Sequence, residues 1–396
     1  MEFQRSYIKV LKKRILNEER KFIQVIYGPR QVGKTTLVNQ FLQSSEIPSH
    51  FSTADGVVLD PPSWISQQWE VARLKQRQTG SPQFLLVIDE IQKIDNWSEY
   101  VKKEWDQDSL NGVDIKVIIL GSSRLLIQKG LTESLAGRFE AIYVGHWSYN
   151  EMEEAFGISE DEFVWFGGYP GATFLFEEED RWKRYVRDAL IETSISKDIL
   201  MMTRVAKPAL MKRLFEFGCL YSGQILSLNK IMGQLTDAGN TTTLSHYLEL
   251  LDTAGLLGNL GKYSKSVIQK KSSSPRFQVH NTALISALSD RSFHKVLKSP
   301  ADWGRWVESA IGAHLLNDSL NNGYELFYWR EGNHEVDFII RYQDQIIGVE
   351  VKSGSSKVGK GFSTFQRLYS PKRMYLISEE GLSWKEFLKI SPLSLF

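Results

Sequence analysis

The chain has 396 residues, more than one ordinary core holds, so two or three domains are expected. Hydrophobic residues make up 42 % and charged residues 24 %, the mix of a soluble globular protein, and a net charge of +1 supplies no global field toward nucleic acid or membrane. A single cysteine, Cys219, excludes an intramolecular disulfide framework and a cysteine-rich zinc cluster, and reads as a small buried apolar residue.

The N-terminal stretch MEFQRSYIKVLKKRIL is basic but has no uninterrupted apolar segment and no small-residue cleavage site. No run approaches the roughly 18 apolar residues of a membrane span, so a cytoplasmic location without membrane partners is expected. Ile8, Leu11, Ile15 and Leu16 recur at helical spacing within 7–20. A strand follows at 22–27, then a glycine-rich turn and a helix over 34–43. Pro61-Pro62 opens another helix at its first turn. Two short apolar runs come next: 84–88, ending in Asp89-Glu90, and 117–120, ending in Gly121-Ser122-Ser123. Such runs alternating with helical patterns predict a parallel sheet with crossover helices.

Residues 28–35 read GPRQVGKT and satisfy the phosphate-loop pattern G-x-x-x-x-G-K-[ST] in full. Glycines let backbone N–H groups curl around phosphates, Lys34 reaches the β- and γ-phosphates, and the Thr35 hydroxyl suits Mg²⁺. The helix opening at Lys34 adds its positive N-terminal end. The expected nucleotide site is therefore Gly28, Pro29, Arg30, Gln31, Val32, Gly33, Lys34, Thr35 and Thr36, binding ATP with Mg²⁺. The strand FLLVI delivers Asp89 to the metal, and Glu90 beside it can polarise the attacking water. Ser122 or Ser123 could sense the γ-phosphate, although a plain strand-to-loop turn reads equally well.

Taken in order, YGPRQVGKTT, LVIDEIQ, LGSSRLLIQKGLTESLAGRF and GGYP resemble bacterial and archaeal AAA+-superfamily ATPases close to the STAND class. The resemblance spans most of the chain and implies a C-terminal winged helix and a nuclease-like domain. It also implies that Arg138, in SLAGRF, is a catalytic γ-phosphate sensor or a finger acting in trans within a homo-oligomer; the residue by itself reads equally as a structural salt bridge. Asn281, in FQVHNTAL, departs from the family pattern, which has an aspartate there.

Helical patterns dominate 148–217, broken at Gly167-Gly168-Tyr169-Pro170-Gly171, and the acidic run Glu177–Asp180 reads as a solvated face. Residues 228–257 read helix, turn, helix, with Asn240 or Thr241 as cap and Leu244, Tyr247, Leu248 and Leu251 on one face. Thr241, Thr242, Thr243, Ser245 and His246 fall on the other face. The basic stretch that follows holds Lys262, Lys265, Lys270, Lys271 and Arg276. The whole resembles a winged helix-turn-helix, for which DNA and a protein partner are both open.

The last region predicts a helix over 303–316 and strands over 325–328, 335–342 and 345–351. It carries Glu308, Asp337, Glu350, Lys352 and Gln366, a set resembling PD-(D/E)xK nucleases of the Holliday-junction-resolvase and restriction-enzyme type. Glu350 and Lys352 share one strand face. With Glu308 and Asp337, the carboxylates suit a second Mg²⁺ or Mn²⁺, and Lys352 would position the nucleophile.

The expected fold class is α/β: a P-loop parallel sheet (1–150), a helical lid (151–215), a winged helix (216–282) and a restriction-endonuclease-like α/β domain (283–396). The leading functional expectation is an ATP-hydrolysing switch with Glu90 as base. An ATP-regulated DNA nuclease and a non-catalytic, ATP-dependent scaffold are the rivals.

Overall fold

The computed structural model describes residues 3–56, 61–122, 127, 131, 134–200, 205–235, 239–264, 273–352, 359–378 and 381–396. The chain divides into two compact units, Met1–Val144 and Gly145–Phe396. Among the described residues no helix is long and apolar enough to cross a membrane.

The first unit holds α1 (Tyr7–Leu16), β1 (Ile23–Tyr27), α2 (Lys34–Gln43), β2 (Ser49–Thr53), α3 (Pro61–Thr79), β3 (Phe84–Asp89), α4 (Trp97–Asn111), β4 (Ile115–Gly121) and β5 (Phe139–Tyr143). The five strands form one parallel sheet in the order β2-β3-β4-β1-β5. Side chains alternate between its faces. Phe84, Leu86, Ile88, Ile115, Val117 and Ile119 pack under α3 and α4, beside Trp69 and Trp105. Leu85, Val87, Ile118 and Leu120 pack under α1 and α2, beside Leu11 and Phe41. Because helices cover both faces, the central strands are apolar at nearly every position, with Gln24 and Lys116 as buried, hydrogen-bonded exceptions, and each fully buried Ile, Leu or Phe contributes about 1.5–3 kcal/mol. Parallel strands also bring their carboxyl ends to one edge, where the loops after β1, β3 and β4 meet.

The second unit begins with α5 (Tyr149–Phe156) and α6 (Glu160–Phe166). Each is opened by a capping box, Ser148 with Glu151 and Ser159 with Glu162. Helix α7 (Glu179–Tyr185) runs on into wider π-helical turns at Val186–Ile191 and Ser194–Leu200. Glu177, Glu178 and Asp180 are exposed, as a solvated acidic face requires. Helices α8 (Pro208–Leu220), α9 (Leu228–Met232) and α10 (Thr241–Thr253) precede the antiparallel hairpin of β6 (Leu257–Lys262) and β7 (Arg276–Val279). Asn240 caps α10, its side chain accepting the Thr243 N–H at 2.8 Å. Cys219 is buried in α8, and burial pushes its thiol well above the usual value.

Helices α11 (Ala283–Leu288), α12 (Phe293–Leu297) and α13 (Pro300–Asn322) lead into β8 (Glu325–Glu331), β9 (His334–Tyr342) and β10 (Gln345–Val351). Helix α14 (Lys360–Tyr369), β11 (Arg373–Ile377) and α15 (Trp384–Phe387) complete the unit. A mixed six-stranded sheet runs β11-β10-β9-β8-β6-β7. Strand β6 pairs in parallel with β8, so the division expected at 282/283 cuts through a shared sheet within one compact unit.

The turn at Gly167-Gly168 is set by a buried polar hub. The Asn281 side-chain oxygen accepts the N–H of Gly168 at 3.2 Å and that of Ala283 at 3.1 Å, while its amide donates to His146 Nδ1 at 3.3 Å. His146 Nε2 in turn donates to the Gly255 carbonyl at 2.9 Å. At Gly167, whose φ is 69°, a Cβ would lie 1.8 Å from that same Asn281 oxygen, so only glycine fits. The amide thus supplies a donor that an aspartate lacks. Asn281→Asp should protonate His146, raising its folded pKa. That variant gains a contribution to stability fully present below about pH 6.5, the unfolded imidazole value, and lost as pH rises through the folded value. Thermal midpoints from pH 5 to 9 test this, and parallel curves for wild type and variant would sink it.

Candidate functional site: a phosphate loop and a carboxylate cluster

The loop after β1 is shaped for a close approach to an anion. At Gly28 a Cβ would lie 2.0 Å from the Val144 carbonyl oxygen, so that position admits hydrogen alone. Gln31 and Gly33 take left-handed φ values of 61° and 84°, which curl the chain into the first turn of α2. A left-handed non-glycine residue such as Gln31 costs roughly 1–3 kcal/mol and is a mark of functional loops. Pro29 and Val32 are buried, Arg30 is half-buried, and Thr35 and Thr36 are exposed. The Val32 carbonyl is anchored by the Arg5 guanidinium at 3.1 Å.

Lys34 is 8 % exposed and folds back over the loop. Its ammonium donates to the Gly28 carbonyl at 2.9 Å and the Pro29 carbonyl at 2.7 Å. The Thr35 hydroxyl donates to Asp89 Oδ2 at 3.0 Å, across from the end of β1 to the end of β3. These two oxygens at one edge, beside a cradle that excludes a Cβ, fit a nucleotide-bound Mg²⁺. Glu90 follows in a left-handed conformation, φ 52°, and its N–H donates to Asp89 Oδ1 at 2.9 Å. Its carboxylate accepts the Ser122 hydroxyl at 3.0 Å and also the Gln92 amide. Gln92 was not among the residues the sequence singled out; its spacing two residues after Glu90 is the only signal there. Ser123, the other candidate sensor, lies outside the described residues.

Arg138 does not join this site. It immediately precedes β5, and its carbonyl accepts the N–H of Ile23, the first residue of β1. That is the amino edge of the sheet, opposite the phosphate loop. Its guanidinium is held in a bidentate pair by Asp106 of α4, at 2.8 and 3.1 Å. A γ-phosphate sensor within the same chain is therefore replaced by a structural ion pair.

The second unit brings Glu308 (α13), Asp337 (β9), Glu350 (β10) and Lys352 together, with Glu335, which the sequence reading omitted, and Arg276, which it assigned to a basic wing. Glu335 shares the β9 face of Asp337 two residues on. Arg276 comes from β7, 61 positions from Asp337, and no local pattern announces it. It is 0 % exposed. Its Nη1 donates to the Asp337 carbonyl at 3.0 Å, to Asp337 Oδ1 at 3.3 Å and to Glu335 Oε1 at 3.4 Å, while Nη2 donates to Glu308 Oε1. Asp337 Oδ2 accepts the Val351 N–H at 2.8 Å, and Lys352 pairs with Glu350 Oε1 at 3.0 Å. Burial and the Asp337 charge push Glu308 up to about 7, against the pull of Arg276. Burial likewise raises Glu335.

These positions do not fit the metal expected from the sequence. A guanidinium occupies the place between Glu308 and Asp337, and no group of three acidic, histidine or cysteine residues disposed to hold a metal occurs among the described residues. Arg276 is also withdrawn from the basic wing expected to meet phosphates, and Lys265, Lys270 and Lys271 lie outside the described residues. Gln366 is exposed on α14.

Comparison with known proteins places a family match over the first of these two sites. Residues 20–153 match a family model described as AAA domain. Residues 157–295 and 303–396 match two domains of unknown function, DUF8612 and DUF4143. An uncharacterised protein of Haemophilus influenzae is 25 % identical over 348 residues, covering 83 % of this chain and 82 % of its own. One of Methanocaldococcus jannaschii is 24 % identical, covering 80 % and 72 %. Among solved structures, the Aeropyrum pernix ORC1 protein in complex with DNA aligns at 13 % identity and a TM-score of 0.31, over 74 % of this chain and 92 % of that one. Together with the loop of residues 28–35 and its sheet, the family match shows residues 20–153 to be similar to the P-loop core of AAA domains.

Proposed function

We propose that this chain is a Mg²⁺-dependent ATP-binding and ATP-hydrolysing AAA+ switch whose nucleotide state governs a winged helix and a nuclease-like α/β domain acting on nucleic acid. The observation that carries the reading is the meeting of Lys34, Thr35, Asp89 and Glu90 at one sheet edge, with Thr35 and Asp89 in contact at 3.0 Å. Lys34 exchanges its loop carbonyls for phosphate oxygens and stabilises the charge that develops on the transferred group. Thr35 and Asp89 would hold Mg²⁺, which when bound offsets charge on the β- and γ-phosphates. Glu90 orients the attacking water, and its bonds from Gln92 and Ser122 fix the carboxylate while competing for that water.

The downstream reading draws on connectivity. Helix α8, the bridge between Ile225 and Arg276, helices α9 and α10 and the hairpin β6–β7 follow the order of a winged helix. Thr242 and His246 are exposed on α10. The lid (151–215), winged helix (216–282) and nuclease-like domain (283–396) remain parts of this proposal, as does a homo-oligomer in which Arg138 leaves Asp106 to act in trans. The test is binding of labelled duplex DNA at low salt with ATP or ADP present. Binding should weaken with salt at a log–log slope of about −0.9 per phosphate contact, and differ at least about fivefold between nucleotides. No affinity at low salt would move the reading to a scaffold for a protein partner.

A further inference from the structure

We infer that Arg276 is the resident cation of the cluster formed by Glu308, Glu335, Asp337, Glu350 and Lys352. It takes the place of a divalent metal and bars metal-assisted phosphodiester cleavage there. The inference stands on the second unit alone and is independent of nucleotide hydrolysis at the phosphate loop.

Four features carry it. First, the guanidinium is 0 % exposed and reaches three carboxylates on two elements, α13 and β9, from a third, β7. Second, an arginine is charged at every accessible pH, so it cannot yield its place by losing a proton as a lysine can. Third, the oxygens a metal would need are committed. Asp337 gives Oδ1 and its carbonyl to Arg276 and Oδ2 to the Val351 N–H, and Glu350 gives Oε1 to Lys352. Glu350 Oε2 is buried without a hydrogen-bond partner, but it belongs to a carboxylate already neutralised by Lys352, and the Asp337 oxygens that would join it on a hydrated divalent cation are taken. Fourth, like charges within a few ångströms in a poorly solvated site repel strongly, so Arg276 and a divalent ion exclude each other.

Exclusion has a structural return. Arg276 lies on the hairpin strand that also bridges Ile225, so one side chain fastens hairpin β6–β7 to α13 and β9. A metal would serve Glu308 and Asp337 but would not fasten β7. Lys352, poised in a nuclease to position the nucleophile, here neutralises Glu350 instead.

Mn²⁺ binding by the full chain without nucleotide, followed by electron paramagnetic resonance at millimolar Mn²⁺, tests the inference. Wild type should bind no more Mn²⁺ than Asp337→Asn. Arg276→Met, which keeps the bulk and removes the charge, should gain about one Mn²⁺ per chain. That extra ion should be lost again on adding Asp337→Asn. A wild-type site that disappears in Asp337→Asn or Glu350→Gln would overturn the inference. So would a folded Arg276→Met that gains no ion. Should Arg276→Met fail to fold, wild type against Asp337→Asn and Glu350→Gln still decides.

Discussion

Lys34→Ala should abolish both nucleotide binding and hydrolysis, whereas Glu90→Gln should abolish hydrolysis and leave binding within a few-fold of wild type. The split follows from where each charge acts. Lys34 sits inside the loop on two of its carbonyls and is 8 % exposed. Removing it takes away a cation that holds the ground-state phosphates and stabilises still more the charge developing in the transition state, a loss of roughly 10²–10³ in turnover beyond weakened binding. Glu90 lies past Asp89 and touches Gln92 and Ser122, not the phosphate loop. Its amide analogue keeps the shape and the hydrogen-bonding oxygen but cannot polarise water, a loss of about 10²–10⁴ in turnover. Equilibrium binding of a fluorescent ATP analogue, alongside single-turnover hydrolysis, separates the two. Equal turnover in Glu90→Gln and wild type would remove Glu90 from the chemistry. Tight binding by Lys34→Ala would mean that the nucleotide approaches the loop by another route.

The phosphate site was legible in the sequence because its chemistry is local. Eight consecutive residues carry the loop, a five-residue apolar run carries the strand that ends at Asp89, and β1 and α2 appear within a residue of where spacing predicts them. Strands β2 and β5 left no such trace. Both lie at sheet edges where, apart from Ile142, the side chains are exposed or half-buried, so the sequences SHFST and FEAIY lack the apolar signal that burial on two faces imposes. For Arg138 the sequence left a phosphate sensor and a structural salt bridge equally open, for a related reason. Its loop resembles a family motif, but only the parallel pairing of β5 with β1 reveals that it stands at the wrong edge. In the second unit, Glu308, Asp337, Glu350 and Lys352 were found by pattern and do converge. What the pattern could not supply is the cation among them, because Arg276 arrives from a separate hairpin through a long-range strand pairing. Read along the chain, it looked like part of a basic wing.

Arg276→Ala should destabilise the second unit by about 3–5 kcal/mol at pH 7.5, the usual cost of stripping one partner from a buried charge cluster. Glu308, Glu335 and Asp337 would face one another with two cations left nearby, Lys352, already paired with Glu350, and the exposed Arg330, 3.9 Å from Glu335. The loss should be smaller in acid. Glu308 already titrates near 7 and Glu335 is raised by burial, so both are acids whose folded values lie above their unfolded ones. Protonation in the folded state therefore favours folding as pH falls, and without Arg276 the repulsion lifts both values further. The gap between wild type and Arg276→Ala should narrow steadily from pH 8 to pH 5 in urea unfolding. A gap that stays constant over that range would assign the loss to packing under Phe338, whose ring lies 4.9 Å from the guanidinium carbon, rather than to charge. Glu308→Gln added to Arg276→Ala should recover part of the loss, since it removes one of the charges left behind. Mn²⁺ supplies the sharpest discrimination. If the arginine stands where a metal would, the ion should restabilise Arg276→Ala by about 2.7 kcal/mol at a hundredfold excess over its dissociation constant, and leave wild type unmoved.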